Sequence, residues 1–82
     1  MKYNVGDIIT LEDNIEYVIN DIVSYKDNKY VYLSIPGDKD GSSILIQKVI
    51  VEDNEECLVN LDSEEEFYAV LYLIGQKHMN DN

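Results

Sequence analysis

A chain of 82 residues with seventeen acidic side chains, six lysines, no arginine and a formal net charge of −11 has room for one hydrophobic core. Arginine is the usual reader of phosphate and of guanine edges, so its absence in so negative a field argues against direct binding to nucleic acid, and the same field argues against an anionic membrane. A basic protein surface is the partner that the charge favours.

Taken in order, Tyr3 to Asp7 is a turn-like lead and Ile8 to Leu11 is a β-branched first strand. Asp13-Asn14 supplies a turn of the kind that tolerates positive φ. In a second strand, Ile15 to Tyr25, alternation puts Ile15, Tyr17, Ile19, Val23 and Tyr25 on one face and Val18 and Ile22 on the other. Asp21 falls on the apolar face, and a bulge or strong bend near Asn20-Asp21 would resolve that conflict. Lys26 to Lys29 is a hairpin turn. The third strand, Tyr30 to Ile35, sets Val31, Leu33 and Ile35 against Tyr30, Tyr32 and Ser34. Ile35 to Ser42 is the one long loop. Ser43 to Val51 is apolar on both faces, as suits a central strand covered on both sides. Glu52 to Glu56 turns the chain, and Cys57, Val59 and Leu61 form the inner face of a fifth strand.

The stretch Leu61 to His78 carries the helix signals. Either Asp62 or Ser63 can cap it, with Glu65 or Glu66 completing a capping box, and Glu64, Glu65 and Glu66 sit where the helix dipole favours negative charge. Phe67, Val70, Leu71 and Ile74 make one apolar stripe. The expected fold is therefore α+β: a small, strongly twisted antiparallel sheet of about five strands with one C-terminal helix packed on it. The sheet is a meander or an SH3-like half-barrel. One domain covers residues 1–82, with strands over about 7–61, the helix over about 63–77 and a frayed tail at 79–82. No second helix pattern supports a ferredoxin-like split.

Catalytic and metal chemistry find little support. Asp38, Asp40, Gly41 and Ser42 suggest a calcium loop, but the EF-hand register would then need glycine and glutamate where Ser43 and Val49 stand. Cys57 and His78 lack a third orienting group and an oxyanion turn, and one histidine with one cysteine makes a poor zinc site. Cys57 reads as a small core residue and His78 as a helix-end cation. No cofactor, metal or catalytic residue is expected. The lone cysteine, with neither a signal-like segment nor an apolar run near the ~18 residues of a membrane span, makes a reducing cytoplasm the expected location.

The acid remains. Glu52, Asp53, Glu55, Glu56, Asp62, Glu64, Glu65 and Glu66 crowd a stretch without lysine. Such a run ordinarily forms a solvated face that keeps a protein soluble. The sharper reading applies if the strand four–five turn packs beside the helix N-terminus. Both clusters would then converge, and their carboxylates would imitate a phosphate track on a basic channel. Tyr30 and Tyr32, if outward, would anchor that interface; otherwise they pack across strands on a covered face.

The run GDIITLEDNIEYVINDIVSYKDNKYVYLSI, with the later DSEEEFYAVLYLI, resembles a family of small acidic uncharacterised proteins of Gram-positive bacteria. That family pairs an x-D-E-x-G-x-E-x-x-F/Y-x-V hairpin with an acidic E-D-E-E-F helix start. The likeness runs from Gly6 to Ile74 and departs in its extra tyrosines and in the Pro36–Ser42 loop. It implies a fold and transfers no active site. In size and charge the chain is also similar to small phage-encoded nuclease inhibitors, anti-CRISPR proteins among them. The expected function is thus a non-enzymatic protein-binding module, an inhibitor or regulator that engages a basic nucleic-acid-handling partner by phosphate mimicry. The alternative is a housekeeping cytoplasmic domain, structural or self-associating as a homodimer, whose acidity is only solvation.

Overall fold

In the computed structural model, which describes residues 2–38 and 44–79, the apolar runs become β1 (Ile8–Thr10), β2 (Glu16–Tyr25), β3 (Asn28–Ser34), β4 (Leu45–Glu52), β5 (Glu55–Val59) and α1 (Glu64–Met79). The strands pair in chain order, each antiparallel to the last, in one sheet curled into a half-barrel. Turn chemistry sets the boundaries. Thr10 ends β1 because Leu11 closes a tight loop: its carbonyl accepts the Asn14 N–H at 2.9 Å, and its own N–H donates to Ile15. Asn14 takes φ 63°, while the Asp13 carboxylate accepts the Ile15 N–H at 2.9 Å. The expected four-residue turn after β2 is tighter than that. Lys26 and Asp27 alone make it, both left-handed at φ 48° and 65°, so β3 starts at Asn28 instead of Tyr30. Asp53 and Asn54 repeat the device at 51° and 65°. Paired positive φ of this kind matches the twist of the flanking strands. Asp40, Gly41 and Ser42 of the long loop, and the tail from Asn80, lie outside the described residues.

The bulge expected in β2 is present. Ile19 pairs with Leu33 and Asp21 with Tyr32, so Asn20 is the extra residue. One inserted residue exchanges the faces of everything after it. Tyr17 and Ile19 therefore join one cluster, with Val31, Leu33 and Val49. Val23 and Tyr25 join another, with Tyr30, Ile46, Val70 and Ile74. The sequence reading put these β2 residues on a single face; the bulge divides them between the two sides of the sheet. The first cluster also gathers Tyr3, Ile9 and Leu11 from one edge and Leu58 from the other, which makes its side the concave one.

The helix covers the opposite side. Ser63 is the cap: its hydroxyl accepts the Glu66 N–H and its carbonyl accepts the Phe67 N–H, both at 3.2 Å. Val70 and Ile74 are buried, and Phe67 and Leu71 pack beside them against Tyr30 and Ile46. Each such side chain contributes roughly 1.5–3 kcal/mol of burial. Past the bulge, Asp21 points to the helix side, where Lys77 meets its carboxylate at 2.7 Å. A buried carboxylate without such a partner would be costly. Among the described residues, no helix is long and apolar enough to cross a membrane.

Candidate functional site

The eight candidate carboxylates fall into two groups. Glu52, Asp53 and Glu55 are exposed at the β4–β5 turn with Glu56 half-buried beside them, while Asp62, Glu64 and Glu65 are exposed at the start of α1. The packing of the turn beside the helix N-terminus, on which their convergence depended, does not occur. β5 runs away from the turn before the helix begins: Glu52 pairs with Glu55 at one end of the hairpin and Lys48 with Val59 near the other. Lys48 in turn touches Asp62 at 3.3 Å and Glu66 at 3.4 Å. The four-residue step along β4 from Lys48 to Glu52 corresponds to about 13 Å between the two ends.

Glu66 is half-buried and turned toward the sheet. Its carboxylate accepts the Tyr30 hydroxyl at 2.5 Å and the Asp62 N–H at 2.8 Å while facing Lys48. The Tyr30 hydrogen bond, then that of the Asp62 amide, holds the Glu66 carboxyl below the usual range. Burial first, then Glu66, pushes the Tyr30 phenol up to about 12. The Lys48 ammonium is raised chiefly by its hydrogen bond to Asp62, against desolvation. These groups latch the first turn of α1 to β3 and β4.

Tyr30 is 1% exposed under the helix, and Tyr32 is half-buried in the same cluster, so neither is an outward anchor as expected from one reading of β3. The covered face of the sheet is the face they occupy. The exposed aromatics are Tyr68 at 63% and Tyr72 at 64%, four residues apart on the outer side of α1. The row Glu64, Tyr68, Tyr72 and Gln76 keeps helical i, i+4 spacing, with Glu65 alongside. Phe67 braces the Tyr68 ring edge-on at 5.5 Å, and Gln76 donates to the Tyr72 hydroxyl at 2.6 Å. The sequence held the signal: a buried stripe at Phe67, Val70, Leu71 and Ile74 leaves Tyr68 and Tyr72 on the far side.

The concave side holds a second feature. A cleft of about 480 Å³ runs between the β1–β2 loop and the β4–β5 strands, with Leu11 and Tyr17 on one wall, Leu45 and Leu58 on the other, and Glu12 and Asp13 at the lip. The Tyr17 hydroxyl donates to Asp13 at 3.0 Å, and burial followed by this carboxylate raises its pKa. A shallower groove continues the cleft along β1 and β5, past Glu55 and Glu56. There the Lys2 N–H donates to the Glu56 carboxylate at 2.6 Å and the Tyr3 hydroxyl to the Glu56 carbonyl at 3.2 Å. Cys57 is half-buried, and the His78 side chain is outside the described residues. Among the described residues no group of three or more His, Cys, Asp or Glu side chains is placed to hold a metal ion. Compared with protein-family models, with curated proteins and with solved structures, the chain has no significant match.

Proposed function

We propose that the protein is a non-enzymatic, acidic protein-binding module of the cytoplasm that engages a basic surface on a nucleic-acid-handling partner through the outer face of α1. The observation that carries this reading is the row of Glu64, Glu65, Tyr68 and Tyr72, all exposed on one side of a helix whose other side is clamped to the sheet. Carboxylates flanked by rigid aromatic rings suit arginine and lysine, which pair with the first and stack on the second. Among the described residues no lysine forms an ion pair with that row. Lys48 and Lys77 are committed to Asp62, Glu66 and Asp21, while Lys2 and Lys26 lie over the rings of Tyr3 and Tyr25. Glu64 and Glu65 form no ion pair with a described residue. Carboxylates so displayed would occupy the place of phosphates on the partner, making the protein an inhibitor or regulator.

The test is capture of a partner from nuclease-treated lysate at low and high salt, followed by competition with duplex DNA and with RNA. Wild-type protein should release its partner as salt rises and as nucleic acid is added, and Glu64→Lys with Glu65→Lys should abolish capture. Tyr68→Ala with Tyr72→Ala should weaken it by a hot-spot increment of about 2 kcal/mol or more. Capture that is indifferent to the charge reversal would reduce the acidity to solvation.

A further inference from the structure

We propose that the seam between β1 and β5 is a second docking site, distinct from the α1 row, which takes an extended lysine- or arginine-bearing segment of a basic protein as an added strand. Among the described residues β1 pairs only with β2 and β5 only with β4, so each is an edge of the described sheet. The curl of the sheet turns these edges toward each other, and residues of both bound one continuous groove. Among the described residues no ladder joins the two edges, and the N-terminal segment bridges them only at Glu56. Exposed edges are ordinarily blunted by lysine, proline or a covering element. Neither residue type occurs in 8–13 or 55–60, and the cleft beyond the bridge is open.

The groove also has the two-sided chemistry that a strand requires. Successive side chains of a strand point to opposite faces, at about 3.3 Å per residue. Apolar side chains of an entering segment would face Tyr17, Leu45 and Leu58 in the cleft, and the alternate ones would meet a rim in which Glu12, Asp13, Glu55 and Glu56 outnumber the single lysine, Lys2. Charge selects the occupant. A second copy of this chain would bring the same carboxylates, at net charge −11, against that rim. A basic segment is attracted where a second copy is repelled. Backbone hydrogen bonds along the bare edge would supply sequence-tolerant affinity, and the rim would supply the selection.

An amide NMR titration with a capped octapeptide of alternating lysine and valine tests the site, beside the same peptide N-methylated at alternate residues. Saturable shifts and slowed amide exchange should appear at residues 9–13 and 56–60. N-methylation along the bonding edge should weaken binding by about tenfold or more, the equivalent of one or two hydrogen bonds. Glu12→Lys with Glu55→Lys should abolish binding at an unchanged melting temperature, while Glu64→Lys with Glu65→Lys should leave the seam shifts in place. Shifts confined to α1 would overturn the seam and leave the helix-face reading standing. Equal binding of the N-methylated peptide, no shift up to about 1 mM peptide, or protection of the seam by dimerisation without peptide would each overturn it as well.

Discussion

On the helix side of the sheet, Tyr30, Ile46, Val70 and Ile74 are sealed, and the charges around them are answered from across the interface. Lys48 of the sheet meets Asp62 and Glu66 at the start of α1, and Asp21 of the sheet meets Lys77 near its end. On the concave side, Tyr17, Val31 and Leu33 are just as well buried by the curl itself, yet the cleft above them stays open, and no ion pair among the described residues engages Glu12, Asp13 or Glu55 at its rim. The two sides share one sheet and similar apolar residues. What differs is where the lysines went. Opposite charges pair the helix to the sheet on one side, whereas on the other the proposed seam relies on a partner to bring them.

The largest effect expected from breaking the sealed side comes from Val70→Asp. It places a carboxylate at a fully buried position among apolar side chains, a cost of more than about 4 kcal/mol. Circular dichroism should show loss of cooperative thermal unfolding, and an unchanged melting curve would mean that α1 does not close the core. Next comes the clamp at the far end of the helix. Lys77→Ala takes the ammonium from a buried Asp21; because Lys77 itself is half exposed, the expected loss is about 1–3 kcal/mol in chemical denaturation. Adding Asp21→Asn should recover part of that loss, since the carboxylate that suffered is then gone. Independent, additive losses would show that the two residues are not coupled.

Tyr30→Phe removes one hydrogen bond to a charged acceptor and should cost about 1.5–3 kcal/mol near neutrality. Its pH dependence has a definite sign. The unfolded phenol ionises near its ordinary value of 10.0 and the folded one at about 12. Stability from Tyr30 is therefore complete below pH 10.0 and is lost as pH climbs toward about 12, where the wild type should converge on the variant. Glu66 acts in the opposite window: its lowered pKa adds stability above the ordinary carboxyl value of 4.5, lost as pH falls through the folded value. Denaturant midpoints across both ranges check this, and a difference between wild type and Tyr30→Phe that is constant to high alkali would refute it. The smallest effect belongs to the open side, where Glu12→Lys with Glu55→Lys should move stability by no more than about 0.5 kcal/mol.

Local conflicts and local signals were readable from the sequence. Asp21 on an apolar face announced the bulge at Asn20, Asn14 announced its turn, and Ser63 was one of the two possible caps. Relations between elements were not readable. β3 is apolar on both faces, so alternation alone does not say whether Tyr30 or Val31 lies beneath the helix. The capping-box spacing narrows three consecutive glutamates to Glu65 or Glu66, and the seating of α1 over Lys48 and Tyr30 gives Glu66 its further contacts. The Lys26-Asp27 turn lacks the glycine that marks most turns of its type, so its tightness went unread. The split of the acidic run follows from the direction of β5, a property of pairing and not of composition.

Because every strand pairs with its neighbour in the chain, most of the sheet can assemble from nearby residues. Hairpins closed by two-residue turns form on a scale of about 1–10 μs. β2–β3 and β4–β5, closed at Lys26-Asp27 and Asp53-Asn54, should be the first pieces to form. The contacts that must wait join distant residues: Lys77 reaches Asp21 across a separation of 56, and Tyr3 reaches Glu56 across 53. Closing such loops costs entropy before it returns any contact. The order should reverse on opening, with the bridge at Glu56 exchanging its amides sooner than the strands β2 to β4. The seam then becomes accessible at a free-energy cost well below that of global unfolding, and an entering strand need not wait for the rest of the molecule to yield.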